Sequence, residues 1–133
     1  MTASVRLLLI GDSGGKPGRQ ITVRALAGLR IAERLDLIVA NAENASGGSG
    51  LTPEAFEEIV AAGVDCVTMG DHVYRRREIF SLLDRDDRIV RPANYPAEAP
   101  GRTFAVVRTK SQVPVGVFSL LGRVFMSPVD CPL

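Results

Sequence analysis

Residues 37–50 read LIVANAENASGGSG, and this stretch decides the fold class. It opens with an apolar run, Leu37 to Ala40, that is too short to be a helix. The run stops at a segment rich in Asn, Ser and Gly, which is typical of a loop. A short, continuous apolar run bounded by such residues predicts a strand that is buried on both faces, as the strands of parallel sheets are.

Four further segments predict strands, at residues 5–10, 66–69, 103–109 and 113–121. The first of these is apolar apart from Arg6 and ends at Gly11, so we expect it to be buried on both faces as well. The segment at residues 66–69 ends in the same way, at Gly70. The last two segments are predicted to pair as a β-hairpin across residues 110–112.

Helical patterns separate the first three strands. A break at residues 14–18 is followed by a helical pattern that runs to about Leu35. Its predicted apolar face is formed by Ile21, Ala25, Leu29 and Ala32. A short helix is also predicted over residues 75–83, after the third strand.

The helix between the second and third strands has clear end signals. Thr52 is a favoured N-cap, Pro53 suits the first helical position, and Gly63 is the residue expected just past the end. Its apolar face is formed by Phe56, Ile59 and Val60. Strands that alternate with helices in this order predict an α/β fold with a parallel sheet, followed by the hairpin.

Composition narrows the class of protein. The chain has 133 residues, 46% of them hydrophobic, which predicts a single globular domain. Its 16 basic and 15 acidic residues leave a net charge of +1, so no nucleic-acid-binding patch is indicated, and no apolar run suits a membrane span. The two cysteines, Cys66 and Cys131, form neither a CxxC pair nor a disulfide framework, which favours a reducing, cytoplasmic location.

Chemically active residues follow each of the three parallel strands. They are Asp12, Glu43, Asn44, Asp71 and His72. Ligands of open α/β sheets bind beyond the carboxyl ends of the strands, so these side chains are expected to meet at one edge. Neighbouring carboxylates cannot all stay ionised without a cation. Oxygen ligands with one imidazole suit Mn, Fe or Mg better than Zn.

Each of these residues also has a plainer interpretation. Asp12 suits a turn or a helix cap, Glu43 and Asn44 suit a solvated loop, and the pair at 71–72 suits a helix start. The glycines at residues 14–18 resemble a phosphate-binding loop, although they match neither GxGxxG nor the Walker pattern. A flavodoxin-like phosphate binder without a metal therefore stays open as an alternative.

Several short motifs carry a resemblance to a known family. They are Gly11-Asp12, GKPGR at 15–19, NAENA at 41–45, TMGDH at 68–72, RPANYP at 91–96 and GRVFM at 122–126. Together they resemble the calcineurin-like metallophosphoesterases, and among these the bacterial branch of 2′,3′-cyclic nucleotide 2′-phosphodiesterases.

The resemblance implies a hydrolase of phosphodiesters or cyclic nucleotides that uses two divalent metal ions. By motif, Asp12 would bind the first metal, Glu43 would bridge both, and Asp71 would bind the second. Asn44 would lie by the metals or the phosphate, and His72 would be the general acid. The family usually has Asn at position 71; aspartate keeps an oxygen ligand and adds a negative charge.

The family fold is about twice the length of this chain, and its second half supplies three further histidine ligands. We therefore expect residues 1–133 to be one incomplete metallophosphoesterase domain, the N-terminal half of a sandwich, with little or no activity alone. An exposed sheet edge and apolar face would favour self-association into a homo-oligomer. The alternative is a non-catalytic truncated remnant that acts as a binding or interaction module.

Two further expectations concern geometry. The carboxylates of Asp12, Glu43 and Asp71 should lie within about 7 Å of one another if they share a two-metal site. Arg91 and Arg123 stand beside turn residues and are predicted to satisfy loop carbonyls with their five donors rather than to bind phosphate.

Overall fold

A computed structural model describes residues 4–133 of the chain. Nine elements follow in the order β1 (Leu7–Ile10), α1 (Gly15–Ala32), β2 (Leu37–Asn41), α2 (Pro53–Ala61), β3 (Cys66–Thr68), α3 (Ile79–Arg85), β4 (Ile89–Val90), β5 (Phe104–Arg108) and β6 (Pro114–Phe118). Strands β1–β4 form a parallel sheet and β5–β6 an antiparallel hairpin, which confirms the predicted α/β fold.

The parallel sheet has the spatial order β1-β2-β3-β4, the same as the order along the chain. Since crossovers between parallel strands are right-handed, a sheet that grows in one direction receives all its helices on one face. The larger core cluster lies on that face, where Leu26 of α1 and Phe56 of α2 pack with Ile38 of β2. In the structure all three helices contribute buried side chains to this cluster.

The hairpin covers the opposite face of the sheet. Ala105 and Val117, one from each hairpin strand, form a second core cluster with Leu37 and Val39 of β2 and Cys66 of β3. Strand β2 is therefore buried on both faces, as its continuous apolar run predicts. Cys66 lies fully buried there, and burial raises the pKa of its thiol to about 11.

Strand β1 corrects one prediction. It is an edge strand, and Leu7 and Leu9 are 44% and 72% exposed, so it is not buried on both faces. Leu8 and Ile10 pack against the helical core, whereas Leu7 and Leu9 point to the hairpin side. An apolar groove of about 380 Å³ between β1 and β6 lies there. The apolar sequence of β1 is typical of a buried strand, but hydrophobic periodicity does not show which strand lies at the edge of the sheet.

Helix α1 corrects a second prediction. Its buried apolar residue is Leu26, whereas Ile21 and Leu29 of the predicted face are 69% and 40% exposed. Ala25 and Ala32 are exposed as well. The helix lies beside the sheet edge, so only a narrow row of its side chains meets the core.

The remaining elements follow the predictions with small shifts. Thr52 caps α2 by accepting a hydrogen bond from the Ala55 amide at 3.4 Å, and Gly63 has a φ of 114°, as expected past a helix end. The third helix begins at Ile79, because residues 71–78 form turns in place of its predicted first part. Strand β4 was not predicted, since two apolar residues are too few to give a pattern. No helix within residues 4–133 is long and apolar enough to cross a membrane.

Arg91 makes the contacts predicted for an architectural residue. It is 2% exposed, and its guanidinium donates hydrogen bonds to the carbonyls of Pro92, Pro96, Ala99 and Gly101 at 2.9–3.3 Å. Arg123 does not: it is exposed, and its side chain makes no hydrogen bond or ion pair within residues 4–133. Arg91 therefore fixes the loop after β4, and the prediction for Arg123 is wrong.

Arg91→Met should lower the free energy of unfolding by roughly 3 kcal/mol, because it leaves several carbonyls in a largely buried loop without donors. Urea unfolding of the purified chain measures this value. Arg123→Met is the matched control and should stay within about 0.5 kcal/mol of the parent, as surface changes usually do. Equal losses for the two variants would contradict the assigned role of Arg91.

Candidate metal centre

The carboxyl ends of β2 and β3 place the candidate side chains together. The two strands pair in a register that sets Asn41 beside Thr68, and the Ala42 amide donates to the Thr68 carbonyl at 3.1 Å. Glu43, which follows β2, and His72, which follows β3, therefore lie at the same level along the sheet edge. The His72 amide donates to Glu43 Oε2 at 3.3 Å, which joins the two loops.

Glu43, Asp71 and His72 each offer a ligand atom, and these three atoms lie within 4.8 Å of one another. This is the one group of three such side chains found within residues 4–133. His72 Nε2 is 3.6 Å from Asp71 Oδ2, and the two side chains are 28% and 38% exposed. The cluster is thus preformed and open to solvent, so an ion and a substrate could both reach it.

Gly70 makes room for the Glu43 carboxylate. A Cβ built on Gly70 would overlap both carboxylate oxygens of Glu43, far inside van der Waals contact. Any side chain at position 70 would therefore displace the carboxylate. The glycine that ends β3 in the sequence is required by the close approach of this group.

Electrostatics within the cluster favour a cation. Burial raises the pKa of Glu43 above its ordinary value of 4.5, and the nearby Asp71 carboxylate raises it further, while the His72 amide partly offsets both effects. Two carboxylates held this close repel each other when both are ionised. A divalent ion between them would remove that repulsion.

Asn44 links Asp12 to His72. Its Nδ2 donates to Asp12 Oδ2 at 2.8 Å, and its Oδ1 contacts His72 Nδ1. Because an ionised carboxylate only accepts hydrogen bonds, Asn44 must turn its amide nitrogen to Asp12 and its oxygen to the imidazole. His72 then carries a proton on Nδ1, and Nε2 is left to face the cluster.

With this bridge, each of the five predicted residues contacts another member of the set. Glu43 and Asp71 meet the expected separation of about 7 Å, since their ligand atoms lie within 4.8 Å. Asp12 is joined through Asn44 and is not one of the three clustered groups. The roles of these residues as metal ligands, phosphate ligand and general acid stay predictions.

The loop after β2 is held by an arginine that sequence reasoning missed. Arg76 donates to the carbonyls of Ser46 and Ser49 at 2.8 and 3.0 Å. Its side chain lies so close to Gly47 and Gly50 that a Cβ on either would come within 2.8 Å of it. The repeated glycines at 47–50 are the sequence signal for a side chain that packs against this loop, because they leave space for it.

Tyr95, in the RPANYP motif, is a second residue near the site to which the sequence assigns no role. Burial raises the pKa of its phenol, and the Asp71 and Glu43 carboxylates add to that effect. Its ring packs edge-on against Tyr74 with centroids 5.5 Å apart. Tyr95 therefore lies near enough to the two carboxylates to feel their charge, on the loop that Arg91 fixes.

Comparison with known proteins identifies the class. The chain superimposes on a novel phosphatase from Mycoplasma pneumoniae with a TM-score of 0.89 at 29% identity, covering 99% of this chain and 49% of that one. A hypothetical protein from Thermus thermophilus gives a TM-score of 0.90 at 36% identity, covering 96% and 49%. The chain therefore shares the fold of about half of that phosphatase.

Sequence comparison adds the family. A family model described as YmdB-like protein matches residues 8–133, and the chain belongs to that family. The 2′,3′-cyclic-nucleotide 2′-phosphodiesterase of Bacillus subtilis (strain 168) is 35% identical over 128 residues, or 96% of this chain. The match covers 48% of that relative, so the chain spans about half its length. The resemblance drawn from the motifs is thereby confirmed.

Glu43→Gln should change how stability depends on pH. A carboxyl group whose pKa is raised by folding holds its proton more tightly in the folded state, so stability is lost as the pH rises from its ordinary value through the folded-state value. In chelator, the parent should therefore lose more stability than Glu43→Gln between pH 4 and pH 7. Urea unfolding at several pH values measures this, with exposed Glu98→Gln as the control. Parallel curves for parent and Glu43→Gln would refute the raised pKa.

Proposed function

We propose that this chain contributes to the metal site of a phosphoesterase that hydrolyses phosphodiesters, including cyclic nucleotides. The observation that carries the proposal is the preformed cluster of Glu43, Asp71 and His72 at the carboxyl edge of a phosphatase fold. Its support is the 35% identity to a relative named as a 2′,3′-cyclic-nucleotide 2′-phosphodiesterase.

The side chains of the cluster suit a divalent cation. Glu43 and Asp71 offer two carboxylates beside the His72 imidazole, with one atom of each group within 4.8 Å of the others, and oxygen ligands favour Mn, Fe or Mg over Zn. In the two-metal arrangement that we propose, Glu43 would be shared by the two ions, and Asp12 and Asp71 would each help to hold one of them. The ions would polarise a phosphoryl oxygen and lower the pKa of a water molecule.

His72 is suited to protonate the leaving oxygen. Asn44 Oδ1 keeps a proton on Nδ1, so an imidazolium would present its second proton on Nε2, toward the cluster. Asp12 orients Asn44 in turn, which ties the acid to the proposed first-metal ligand. Asn44 thus acts here as a positioning residue for His72, in addition to the phosphate or metal contact predicted for it.

The cluster alone supplies few ligands. Each ion of a two-metal site takes roughly four to six ligands, and Asp12, Glu43, Asn44 and Asp71 provide at most four between them. Water would fill the remaining positions, so affinity should be modest. We therefore propose weak metal binding and little or no turnover for the 133-residue chain.

Gly70→Ala should abolish Mn²⁺ binding, because its Cβ would occupy the position of the Glu43 carboxylate. Gly11→Ala is the matched control: it lies beside Asp12, yet a Cβ there meets nothing within 4 Å. Isothermal titration calorimetry should show binding to the parent and to the control and none to Gly70→Ala, with circular dichroism confirming the fold. Equal affinity in all three proteins would show that Glu43 is not a ligand.

His72→Ala should lower kcat by about 10²–10⁴-fold, the usual contribution of a general acid, while Mn²⁺ binding changes little. The assay uses bis(p-nitrophenyl) phosphate and a 2′,3′-cyclic nucleotide with Mn²⁺, on both the 133-residue chain and the protein encoded by the full reading frame of its gene. Loss of metal together with activity would make His72 a ligand. Metal binding without hydrolysis by either protein would favour the non-catalytic module.

A further inference from the structure

A second cleft lies at the opposite edge of the sheet. It has a volume of about 1020 Å³ and is bordered by Gly63 to Asp65, just before β3, and by Asp87 and Arg88, just before β4. Strand β5, together with Thr103 just before it, forms the long side of the cleft. Glu43, Asp71 and His72 do not line it, so the cleft is separate from the candidate metal centre.

One edge of β5 is unpaired along this cleft. The Thr109 amide donates to the Val113 carbonyl at 3.0 Å, which makes Thr109 a hydrogen-bonded pair of the hairpin. In an antiparallel ladder such pairs alternate, so Ala105 and Val107 also point their backbone groups at β6. Phe104, Val106 and Arg108 point theirs the other way. Within residues 4–133 no strand pairs with β5 there, beyond a single bridge at Arg102.

The cleft carries an excess of positive charge. Six basic residues line it against two acidic ones, Asp65 and Asp87. Arg30 is paired with Asp65 at 2.5 Å and Arg88 with Asp86 at 2.7 Å. Arg91 is buried on loop carbonyls. Three basic residues stay exposed and make no ion pair within the described chain; they are Arg102, Arg108 and Lys110.

The exposed face of β5 has a pattern of its own. Phe104 and Val106 are 61% and 58% exposed, whereas Ala105 between them is buried. By the alternation of a strand, Arg102 and Arg108 share the face of Phe104 and Val106. Every second residue from 102 to 108 therefore lies on this face, in the order basic, apolar, apolar, basic.

We propose that an extended, acidic polypeptide segment binds this cleft by adding a strand to the free edge of β5. Backbone groups of Phe104, Val106 and Arg108 would pair with the segment, as in other cases of strand addition. Its carboxylates would lie opposite Arg102 and Arg108, and apolar side chains would lie opposite Phe104 and Val106. The recognised pattern is acidic-x-apolar-x-apolar-x-acidic.

Two other occupants suit the cleft less well. A small anion would neutralise the arginines but would leave the N–H and C=O groups of the strand edge unpaired. A second copy of the chain would pair the edge, yet it would bring Arg102, Arg108 and Lys110 close to the same residues of its partner. Like charges placed together across an interface disfavour association.

The test is fluorescence anisotropy with a labelled nine-residue peptide, Ser-Glu-Ser-Val-Ser-Val-Ser-Glu-Ser, which presents glutamate, valine, valine and glutamate on one face of an extended strand. Val106→Pro removes an N–H from the free edge without removing a bond to β6, and should weaken binding about tenfold or more. Val106→Thr keeps that N–H and should bind like the parent. Arg108→Glu should weaken binding by a similar factor, whereas Arg24→Glu on α1, with the same charge change, should not.

A second comparison uses the unmodified chain and two peptides of equal charge, so it tests strand addition even if a hairpin variant fails to fold. A peptide N-methylated at alternate amides should bind at least about tenfold more weakly, because it cannot form the ladder. Equal binding of the methylated peptide, or its displacement by millimolar inorganic phosphate, would overturn strand addition in favour of a small-anion site. A dimer in sedimentation velocity that Val106→Pro dissolves would overturn it in favour of a second copy.

Discussion

The pairing of β2 with β3 is the constraint on which the rest of the structure depends. Its register sets Asn41 beside Thr68, so both strands end at the same level and their loops must meet. Because β2 is also buried on both faces, its position is fixed by helices on one side and the hairpin on the other. The close approach of Glu43 to Gly70 follows directly, and with it the high local density of negative charge.

The fold was predictable where a segment carries its own signal. Leu37 to Ala40 is apolar throughout and became the buried central strand, and Thr52, Pro53 and Gly63 marked the ends of α2 as expected. Predictions failed where burial depends on position in the sheet. Leu9 and Ile21 are as apolar as core residues, but both are exposed because β1 lies at the edge and α1 lies beside it. Sequence patterns report apolar side chains; strand order decides which of them are covered.

The residues of the site were predictable from the sequence, but the contacts that orient their side chains were not. Parallel strands share one carboxyl edge, so Glu43, Asp71 and His72 could be brought together by counting strands alone. The contacts that orient them could not. These contacts depend on distances between different loops. They include the bridge that Asn44 forms between Asp12 and His72 and the space that Gly70 leaves for Glu43. They also include the hydrogen bonds of Arg76 to the loop after β2. Tyr95 lies on the loop after β4, whose shape is set by the hydrogen bonds of Arg91 to its carbonyls.

The order β1-β2-β3-β4 also bears on how the chain reaches its fold. Each strand pairs with the strand that precedes it, so every crossover closes a loop between neighbours along the chain. These crossovers are long, since Leu7 pairs with Leu37 and Val39 with Cys66, and parallel pairing forms more slowly than local contacts. Each new strand nevertheless pairs with a strand that has already been synthesised, so the sheet can grow one strand at a time in the direction of synthesis. Docking of the hairpin onto β2 and β3 is the step that needs a longer closure, and it completes the second core.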